Sequence, residues 1–288
     1  MKRWIYCLVL VLITAFIVLN LKTNFEKPKF IYEDSPDLNS KGIDVSNNNF
    51  FINNSNGLGV LLVHGLGASP YQTTELASFL AEKNITVYSI RLSGHGTNLT
   101  DFESKKWTDW YKDTEDGYSY LKTQTKKAYI IGISSGALLA LSLAEKKEVD
   151  GLVAIAAPLY LKDWRINLLP IIQLYQRYRY FGVDSTQIGH AYENIPTKTL
   201  YQLRSLVWST IEGLSKITEP VMIVQSTKDK LVYPKSAEYA FKEINTTNEK
   251  ILMTSINHAV IRAYENESES DKIERQKVFN EIYNFIIQ

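Results

Sequence analysis

The chain has 288 residues, of which 45% are hydrophobic and 22% charged, and its formal net charge is +1. This length and balance indicate a globular protein with one large domain, or a domain with a terminal segment. Lysine and arginine are scattered, so no basic run favours a nucleic-acid partner. The single cysteine excludes an internal disulfide and a cysteine metal site, and the four histidines are too far apart to indicate a zinc site.

The first segment of the chain is apolar. Residues 4–21 carry no charge, and as a helix they would span roughly 27 Å, close to the hydrocarbon core of a bilayer. No small-residue cleavage pattern follows, so we interpret residues 1–21 as an uncleaved membrane anchor, with a cleaved signal peptide as the alternative. Lys2 and Arg3 favour a cytoplasmic N-terminus, which predicts a single-pass protein with its domain on the extracytoplasmic side. The polar residues 22–49 indicate a tether.

From residue 50 to residue 288, apolar runs of strand length alternate with helical patterns. The predicted strands cover residues 58–63, 86–90, 128–131, 151–157, 221–225 and 250–253. The predicted helices cover residues 71–83, 107–121, 137–143, 237–244 and 273–287. This alternation predicts a mostly parallel sheet with helices on both faces. Ligands bind beyond the carboxyl ends of the strands in such sheets.

Residues 159–219 interrupt the alternation and contain no convincing strand. Ile171 and Leu174 have helical spacing, and so do Leu200 and Leu203. Because this stretch lies between two predicted strands, we expect a small helical cap over the edge of the sheet where ligands bind.

The sequence GISSG joins a predicted strand to a predicted helix. A serine on such a tight turn needs neighbours with almost no side chain two positions before and after it. Gly132 and Gly136 meet this need for Ser134. They do not meet it for Ser135, which has Ile133 at minus two. The pattern therefore predicts a nucleophile elbow with Ser134 as the nucleophile.

A serine hydroxyl becomes nucleophilic beside a base that a carboxylate orients. Asp229 is the only acid in the predicted loop after residues 221–225, and His258 is the only histidine beyond it. The order nucleophile, acid, histidine is the one expected after a nucleophile elbow. We therefore predict that His258 takes the proton of Ser134 and that Asp229 holds the imidazole.

Acyl transfer also needs two N–H donors for the oxyanion that develops in the transition state. The backbone N–H of Ser135, directly after the nucleophile, is one predicted donor. The glycine-rich turn after residues 58–63 lets the backbone approach closely, and we assign the second donor to the N–H of Leu66. The side chains of His64 and His95 are predicted to be structural.

The chain resembles the bacterial carboxylesterases of the monoacylglycerol-lipase-like group of α/β-hydrolases in six segments, which are, in order, LLVHGLGASP, SIRLSGHGTN, KKWTDWYKDTEDGYSYL, GISSGA, QSTKDKLV and NHAV. The resemblance covers roughly residues 50–287 and extends into the cap. It implies the α/β-hydrolase fold and hydrolysis of short- to medium-chain acyl esters through a serine acyl-enzyme, without a cofactor. It also implies an oxyanion hole formed by Leu66 and Ser135. Asn257 stands where this group usually has glycine, and Ser135 where it often has an apolar residue.

We therefore interpret the chain as a serine carboxylic-ester hydrolase. Its expected partner is a small-molecule ester, with a monoacylglycerol or another lipid as one candidate. Aromatic residues of the cap either line an acyl pocket or pack the cap onto the domain; they are Tyr175, Tyr178, Tyr180, Phe181 and Trp208. Two alternatives stay open: an acyltransferase or amidase with the same triad, and a non-catalytic binding protein on the same fold.

Overall fold

The computed structural model of the chain describes residues 9, 11, 13, 14 and 47–288, apart from residues 55, 184 and 259 and the side chain of Glu249. Its strands are β1 Phe50–Ile52, β2 Leu58–Val63, β3 Thr86–Ile90, β4 Lys127–Ile133, β5 Leu152–Ile155, β6 Tyr178–Tyr180, β7 Asn194–Pro196, β8 Val221–Ser226 and β9 Glu249–Thr254. Its α-helices are α1 Thr74–Glu82, α2 Leu99–Ser104, α3 Trp107–Gln124, α4 Ser135–Lys146, α5 Leu169–Ile172, α6 Thr197–Gly213, α7 Lys235–Glu243 and α8 Glu269–Ile286.

Seven of these strands form one sheet in the order β1-β3-β2-β4-β5-β8-β9. β1 pairs antiparallel with β3, and the other neighbours pair parallel. The carboxyl ends of the parallel strands therefore meet at one edge of the sheet, which we call the rim. In the register of β2 and β4, Val63 lies opposite Gly132, so the chain leaves both strands at the same level of the rim.

Two apolar clusters cover the two faces of the sheet. Leu61 and Val63 of β2 belong to the cluster that contains Trp110 and the buried faces of α3, α4 and α6. Val60 and Leu62 belong to the other cluster, which contains the buried faces of α1 and α8. Alternate residues of a strand point to opposite faces of the sheet, and each face of β2 is apolar because each is covered. The predicted fold class, a mostly parallel sheet flanked by helices, is confirmed.

Short elements are where the sequence prediction failed. The six predicted strands and five predicted helices are all present, with ends displaced by a few residues. The edge strand β1 has three residues and α2 has six, and neither was predicted. Elements of this length contain too few residues to display a period.

The segment between β5 and β8 lies over the rim as the cap. Its long helix α6 carries Leu200 and Leu203, as predicted. The expected helix around Ile171 is wrong beyond Ile172, because α5 ends there and the chain continues into β6, which pairs antiparallel with β7. The sequence Tyr-Arg-Tyr of β6 alternates aromatic and charged side chains, and its strand preference outweighs the helical spacing of the apolar residues before it.

The first residues of the cap are hydrogen-bonded to the loop that follows β8. Leu161 forms an antiparallel bridge with Val232. The N–H of Lys162 donates to the carbonyl of Leu231 at 2.9 Å. The Lys162 ammonium also donates to the backbone carbonyl of Asp229 at 2.5 Å. These contacts attach the beginning of the cap to the rim.

The prediction of a membrane-anchored chain is wrong for the residues that the structure describes, since none of their helices is both long and apolar enough to cross a membrane. This finding overturns the predicted single-pass location on the extracytoplasmic side. Crossing a bilayer requires one apolar helix of about 20 residues, and no helix among the described residues meets this requirement. Of the predicted anchor, residues 1–21, the structure describes only residues 9, 11, 13 and 14, and most of the predicted tether, residues 22–46, is also outside the described residues.

Candidate active site

Ser134 lies at the rim, between the end of β4 and the start of α4. Its backbone adopts φ 53° and ψ −116°, a conformation that residues with a side chain rarely occupy. The N–H of Ser134 donates to the carbonyl of Ile155 at 2.8 Å, which ties the turn to the end of β5. The serine is therefore held on a strained turn, the geometry that the G-x-S-x-G sequence predicts.

The two glycines of this turn are required by space. A Cβ atom on Gly132 would lie 2.1 Å from the carbonyl oxygen of Gly136. A Cβ atom on Gly136 would lie 2.2 Å from the carbonyl oxygen of Val63. Both distances are far below a van der Waals contact, so any side chain at either position would push the turn out of shape.

Asp229 follows β8 and is fully buried. Its Oδ2 accepts a hydrogen bond from Nδ1–H of His258 at 2.6 Å and another from Nε2 of Gln225 at 3.2 Å. Its Oδ1 accepts from the backbone N–H groups of Leu231 at 2.8 Å and Val232 at 2.9 Å. Every oxygen of the carboxylate is therefore satisfied by a donor.

These donors decide the charge of the carboxylate. Burial by itself raises the pKa of Asp229, but the hydrogen bond and charge of His258 and the N–H groups of Val232 and Leu231 outweigh it and hold the pKa below its ordinary value. Asp229 is thus ionised near neutral pH. Because it holds the Nδ1–H of His258, Nε2 is the nitrogen that can accept a proton.

One cavity of about 1110 Å³ lies between the rim and the cap. Ser134, His258 and Leu66 all contribute to its wall. No hydrogen bond joins Ser134 to His258 within the described part of the chain, and in unliganded enzymes such bonds often tighten only with substrate. The structure therefore brings Asp229 and His258 into contact and places Ser134 beside the same cavity.

The two predicted oxyanion donors lie near Ser134. Ser135 is the first residue of α4, so its N–H belongs to the helix end that lacks an intrahelical acceptor. Leu66 lies in the turn after β2. A Cβ atom on Gly65 of that turn would be 3.4 Å from the Cβ of Ser134, which shows how closely the turn approaches the serine.

The turn that carries Leu66 is fixed by two residues that the sequence did not single out. Gln72 accepts a hydrogen bond from the N–H of Gly65 at 2.8 Å through its Oε1. The N–H of Tyr192, in the cap, donates to the carbonyl of Gly67 at 2.8 Å. No motif marks either residue, because each acts on this turn through a single hydrogen bond to its backbone.

His64 and His95 are buried, and their rings lie 4.9 Å apart. Nε2 of His64 accepts the N–H of Leu92 at 3.1 Å, so its Nδ1–H donates to the carbonyl of Gly65 at 2.9 Å. Burial lowers the pKa of His64 to about 4, against the opposing effect of the Gly65 hydrogen bond. Burial and then the neighbouring His64 lower the pKa of His95 well below its ordinary value. Both rings are neutral near pH 7 and support the turns around the site.

The cap aromatics for which the sequence left two roles open, lining a pocket or packing the cap, divide between the two. Tyr180 and Phe181 line the cavity, whereas Tyr175 lines a smaller one elsewhere, and Tyr178 and Trp208 line neither. Charged residues line it as well, Arg165 and Arg179 among them. Sequence reasoning missed these arginines, because a scattered charged residue in a cap normally indicates a solvated surface.

The chain belongs to the alpha/beta hydrolase family, whose model matches residues 60–255. It is 33% identical over 199 residues to a thermostable monoacylglycerol lipase from Bacillus sp. strain H-257. The aligned residues cover 68% of this chain and 80% of that lipase. It is 26% identical over 232 residues to a carboxylesterase from Bacillus subtilis strain 168. Here the aligned residues cover 79% of this chain and 91% of that carboxylesterase.

Solved structures agree on the fold. One, from work on the metagenome-derived lipolytic enzymes LipS and LipT, superposes with a TM-score of 0.75 at 22% identity and covers 85% of this chain and 98% of its own. Another, a soluble variant of monoglyceride lipase from Saccharomyces cerevisiae, has a TM-score of 0.69 at 15% identity and covers 83% of this chain and 90% of its own. The predicted resemblance to carboxylesterases and monoacylglycerol lipases, and with it the assignment as an ester hydrolase, is confirmed.

Proposed function

We propose that this protein hydrolyses carboxylic esters through an acyl-enzyme on Ser134, with His258 as the base and Asp229 as the acid that orients it. The observation that carries the proposal is the 2.6 Å hydrogen bond between buried Asp229 and His258, at the same cavity as the strained serine turn. Relatives named monoacylglycerol lipase and carboxylesterase support the same reaction.

In the first half of the reaction, Oγ of Ser134 attacks the ester carbonyl carbon while Nε2 of His258 takes its proton. The N–H groups of Leu66 and Ser135 stabilise the oxyanion of the tetrahedral intermediate. When this intermediate collapses, the bond to the alcohol oxygen breaks, and His258 returns the proton to the departing alcohol.

In the second half, water attacks the acyl-enzyme and gives its proton to His258. The same two N–H groups stabilise the second oxyanion. The bond to Ser134 then breaks, its oxygen recovers the proton from His258, and the carboxylic acid leaves. Asp229 remains ionised throughout and stabilises the imidazolium that forms in each half.

We further propose that the acyl chain lies against the buried apolar part of the cap. The side chains that form this part of the wall are Leu169, Ile195, Leu200 and Leu203. A chain long enough to cover them buries more apolar surface than a short one, which favours a long acyl chain, such as that of a lipid monoacyl ester, over acetate. Hydrolysis rates of a series of monoacylglycerols should rise beyond the butyryl ester, and a sharp maximum at acetate would rule out this substrate class.

Labelling with a fluorophosphonate tests the nucleophile. The wild-type protein should be labelled, whereas the Ser134→Ala variant should not, because the phosphonate bonds only to an activated hydroxyl. Ser119→Ala is the matched control, since Ser119 is exposed on α3, and this variant should be labelled like the wild type. Equal labelling of wild type and Ser134→Ala would disprove both the nucleophile assignment and the proposed mechanism.

A further inference from the structure

The cavity wall has an apolar part and a charged part. The apolar part is buried in the cap, where Leu200 is 5% and Leu203 7% exposed. The charged part consists of four basic residues and one acidic residue, Lys162, Arg165, Arg179, Lys230 and Asp163. Among the described residues of this wall, His258 aside, positive charges therefore outnumber negative ones.

Two of the basic residues share one carboxylate. Arg165 binds Asp163 as a fork, with Nε 2.8 Å from Oδ1 and Nη2 3.2 Å from Oδ2. Arg179 pairs with Oδ2 of the same carboxylate through Nη1. Burial by itself raises the pKa of Asp163, but the hydrogen bonds of Arg165 and the charges of both arginines lower it, so the carboxylate is ionised. The cluster carries one surplus positive charge.

The guanidinium groups keep donors that this carboxylate does not use. An arginine has five N–H donors. In the described part of the chain, the side-chain hydrogen bonds and ion pairs of Arg165 engage only Nε and Nη2, and those of Arg179 only Nη1. Arg179 also lies over the ring of Phe181, 5.2 Å from its centroid, and this packing limits the conformations of its side chain. Two oriented guanidinium groups with spare donors are suited to a phosphate or carboxylate, which accept paired hydrogen bonds.

The exposure of the two parts indicates which end of an ester each one contacts. Side chains such as Leu200 are buried and suit an acyl chain. The side chain of Arg165 is 54% exposed and that of Arg179 is 27% exposed. They therefore stand where the cavity meets solvent, and an acyl chain in the buried part would direct the alcohol part toward them.

We propose that Arg165 and Arg179 form a binding site for an anionic group, a phosphate or a carboxylate, on the alcohol part of the substrate. The acyl chain then occupies the apolar part of the same cavity. This inference rests on the proposed ester hydrolysis and adds the class of alcohol that the enzyme selects.

The test compares esters that share an acyl group and differ in the charge of the alcohol: 1-butyrylglycerol, 1-butyrylglycerol 3-phosphate and O-butyrylglycolate. For the wild type, kcat/KM should be about tenfold higher on at least one anionic ester than on the neutral one, as expected for charge-assisted hydrogen bonds at a partly exposed site. In the double variant Arg165→Gln/Arg179→Gln, kcat/KM on the anionic esters should fall to about its value on 1-butyrylglycerol, so that the preference is lost. Arg177→Gln is the matched control, because this cap arginine pairs with Glu103 and lines a different cavity.

The outcomes separate the anion site from the proposed reaction. If the double variant loses the preference for one of the two anionic esters, that ester identifies the group that the site binds. If its preference for both esters is unchanged, Arg165 and Arg179 do not form the anion site. If the double variant also loses activity on 1-butyrylglycerol, the salt dependence of the wild-type preference tests the anion site instead. Its preference must weaken as salt screens the charges, and a salt-independent preference overturns the site. Wild-type protein that hydrolyses 1-butyrylglycerol through Ser134 without any preference for an anion refutes this inference alone.

Discussion

The rim and the cap form opposite walls of the same cavity, but they hold their side chains in different ways. At the rim, Ser134 stands on a turn that only glycine neighbours allow, and four donors surround buried Asp229. On the cap, Tyr180 is 68% exposed and Phe181 44% exposed, on a strand of three residues and the position after it. A misplacement of about 1 Å can slow a reaction about 100-fold, whereas substrate recognition tolerates looser contacts. In the proposed function, the rim therefore carries the chemistry and the cap selects the substrate.

The largest effect on activity is expected at the rim, when the charge of Asp229 is removed. We expect Asp229→Asn to lower kcat on 1-butyrylglycerol by about 10⁴-fold, because an amide does not hold the Nδ1–H tautomer of His258. This corresponds to about 5.5 kcal/mol of transition-state stabilisation. Steady-state kinetics measure it, and thermal unfolding checks that the variant is folded.

Asp116→Asn is the control for this substitution. Asp116 lies on α3 in an exposed pair with Lys112, where its side chain is 61% exposed, and kcat should not change. If Asp229→Asn retained more than about one tenth of the wild-type kcat, the assigned acid would be wrong.

Replacing glycine by alanine compares the backbones of the two walls. Gly136→Ala should cost more than about 3 kcal/mol of unfolding free energy or prevent folding, because its Cβ would overlap the carbonyl of Val63. Gly189→Ala, in the cap, should cost only about 1 kcal/mol, since its Cβ meets nothing within 4 Å and only the positive φ of 81° is unfavourable. Urea unfolding measures both. If both substitutions lowered the unfolding free energy equally, the backbone of the rim would not be more closely packed than that of the cap.

The buried His64, at the rim, makes the unfolding free energy of the protein depend on pH. Because burial lowers its pKa from 6.5 to about 4, the unfolded chain binds a proton below pH 6.5 that the native state takes up only near pH 4. Unfolding free energy should therefore fall by about 2 kcal/mol between pH 7 and pH 5 on account of His64 alone. His64→Asn should be less stable at pH 7 and lose less stability over the same interval in urea unfolding. A fall as steep as that of the wild type would contradict the assignment.

The smallest effect is expected on the cap. Phe181→Ala should leave thermal stability nearly unchanged and lower kcat/KM on 1-butyrylglycerol 3-phosphate about fivefold, because Arg179 loses the ring that limits its conformations. Hydrolysis of 1-butyrylglycerol should not change, since this neutral ester has no anion for Arg179 to bind. Trp208→Ala provides the control, because this cap aromatic is 51% exposed and does not line the cavity. An equal loss on both esters would place Phe181 in the chemistry rather than in selection.

The rim was predictable because its signals are local. Continuous apolar runs predict the central strands, and strand ends converge at one edge of a parallel sheet. Ser134, Asp229 and His258 follow three different strands, β4, β8 and β9, so the topology alone brings them to that edge. Tight steric demands also leave a mark in sequence, which is why the glycines of the turn could be identified before the structure.

The cap was less predictable because its contacts depend on pairings that the sequence does not display. Asp163 and Arg179 meet only because β6 forms, and the apolar spacing before β6 indicated a helix instead. A charged residue looks the same in the sequence whether its side chain faces solvent or lines a cavity. Gln72 and Tyr192 escaped notice for a related reason. Each contributes one hydrogen bond to the turn that carries Leu66, and any residue except proline could supply the backbone N–H of Tyr192.

The bridge between Leu161 and Val232 has a mechanical consequence. The N–H of Val232 holds the carboxylate of Asp229, and Leu161 belongs to the first residues of the cap. Lifting that end of the cap would pull on the loop that carries Asp229, whose carboxylate is hydrogen-bonded to His258. The backbone contacts of Leu161 and Lys162 therefore join the position of the cap to the position of the predicted triad acid.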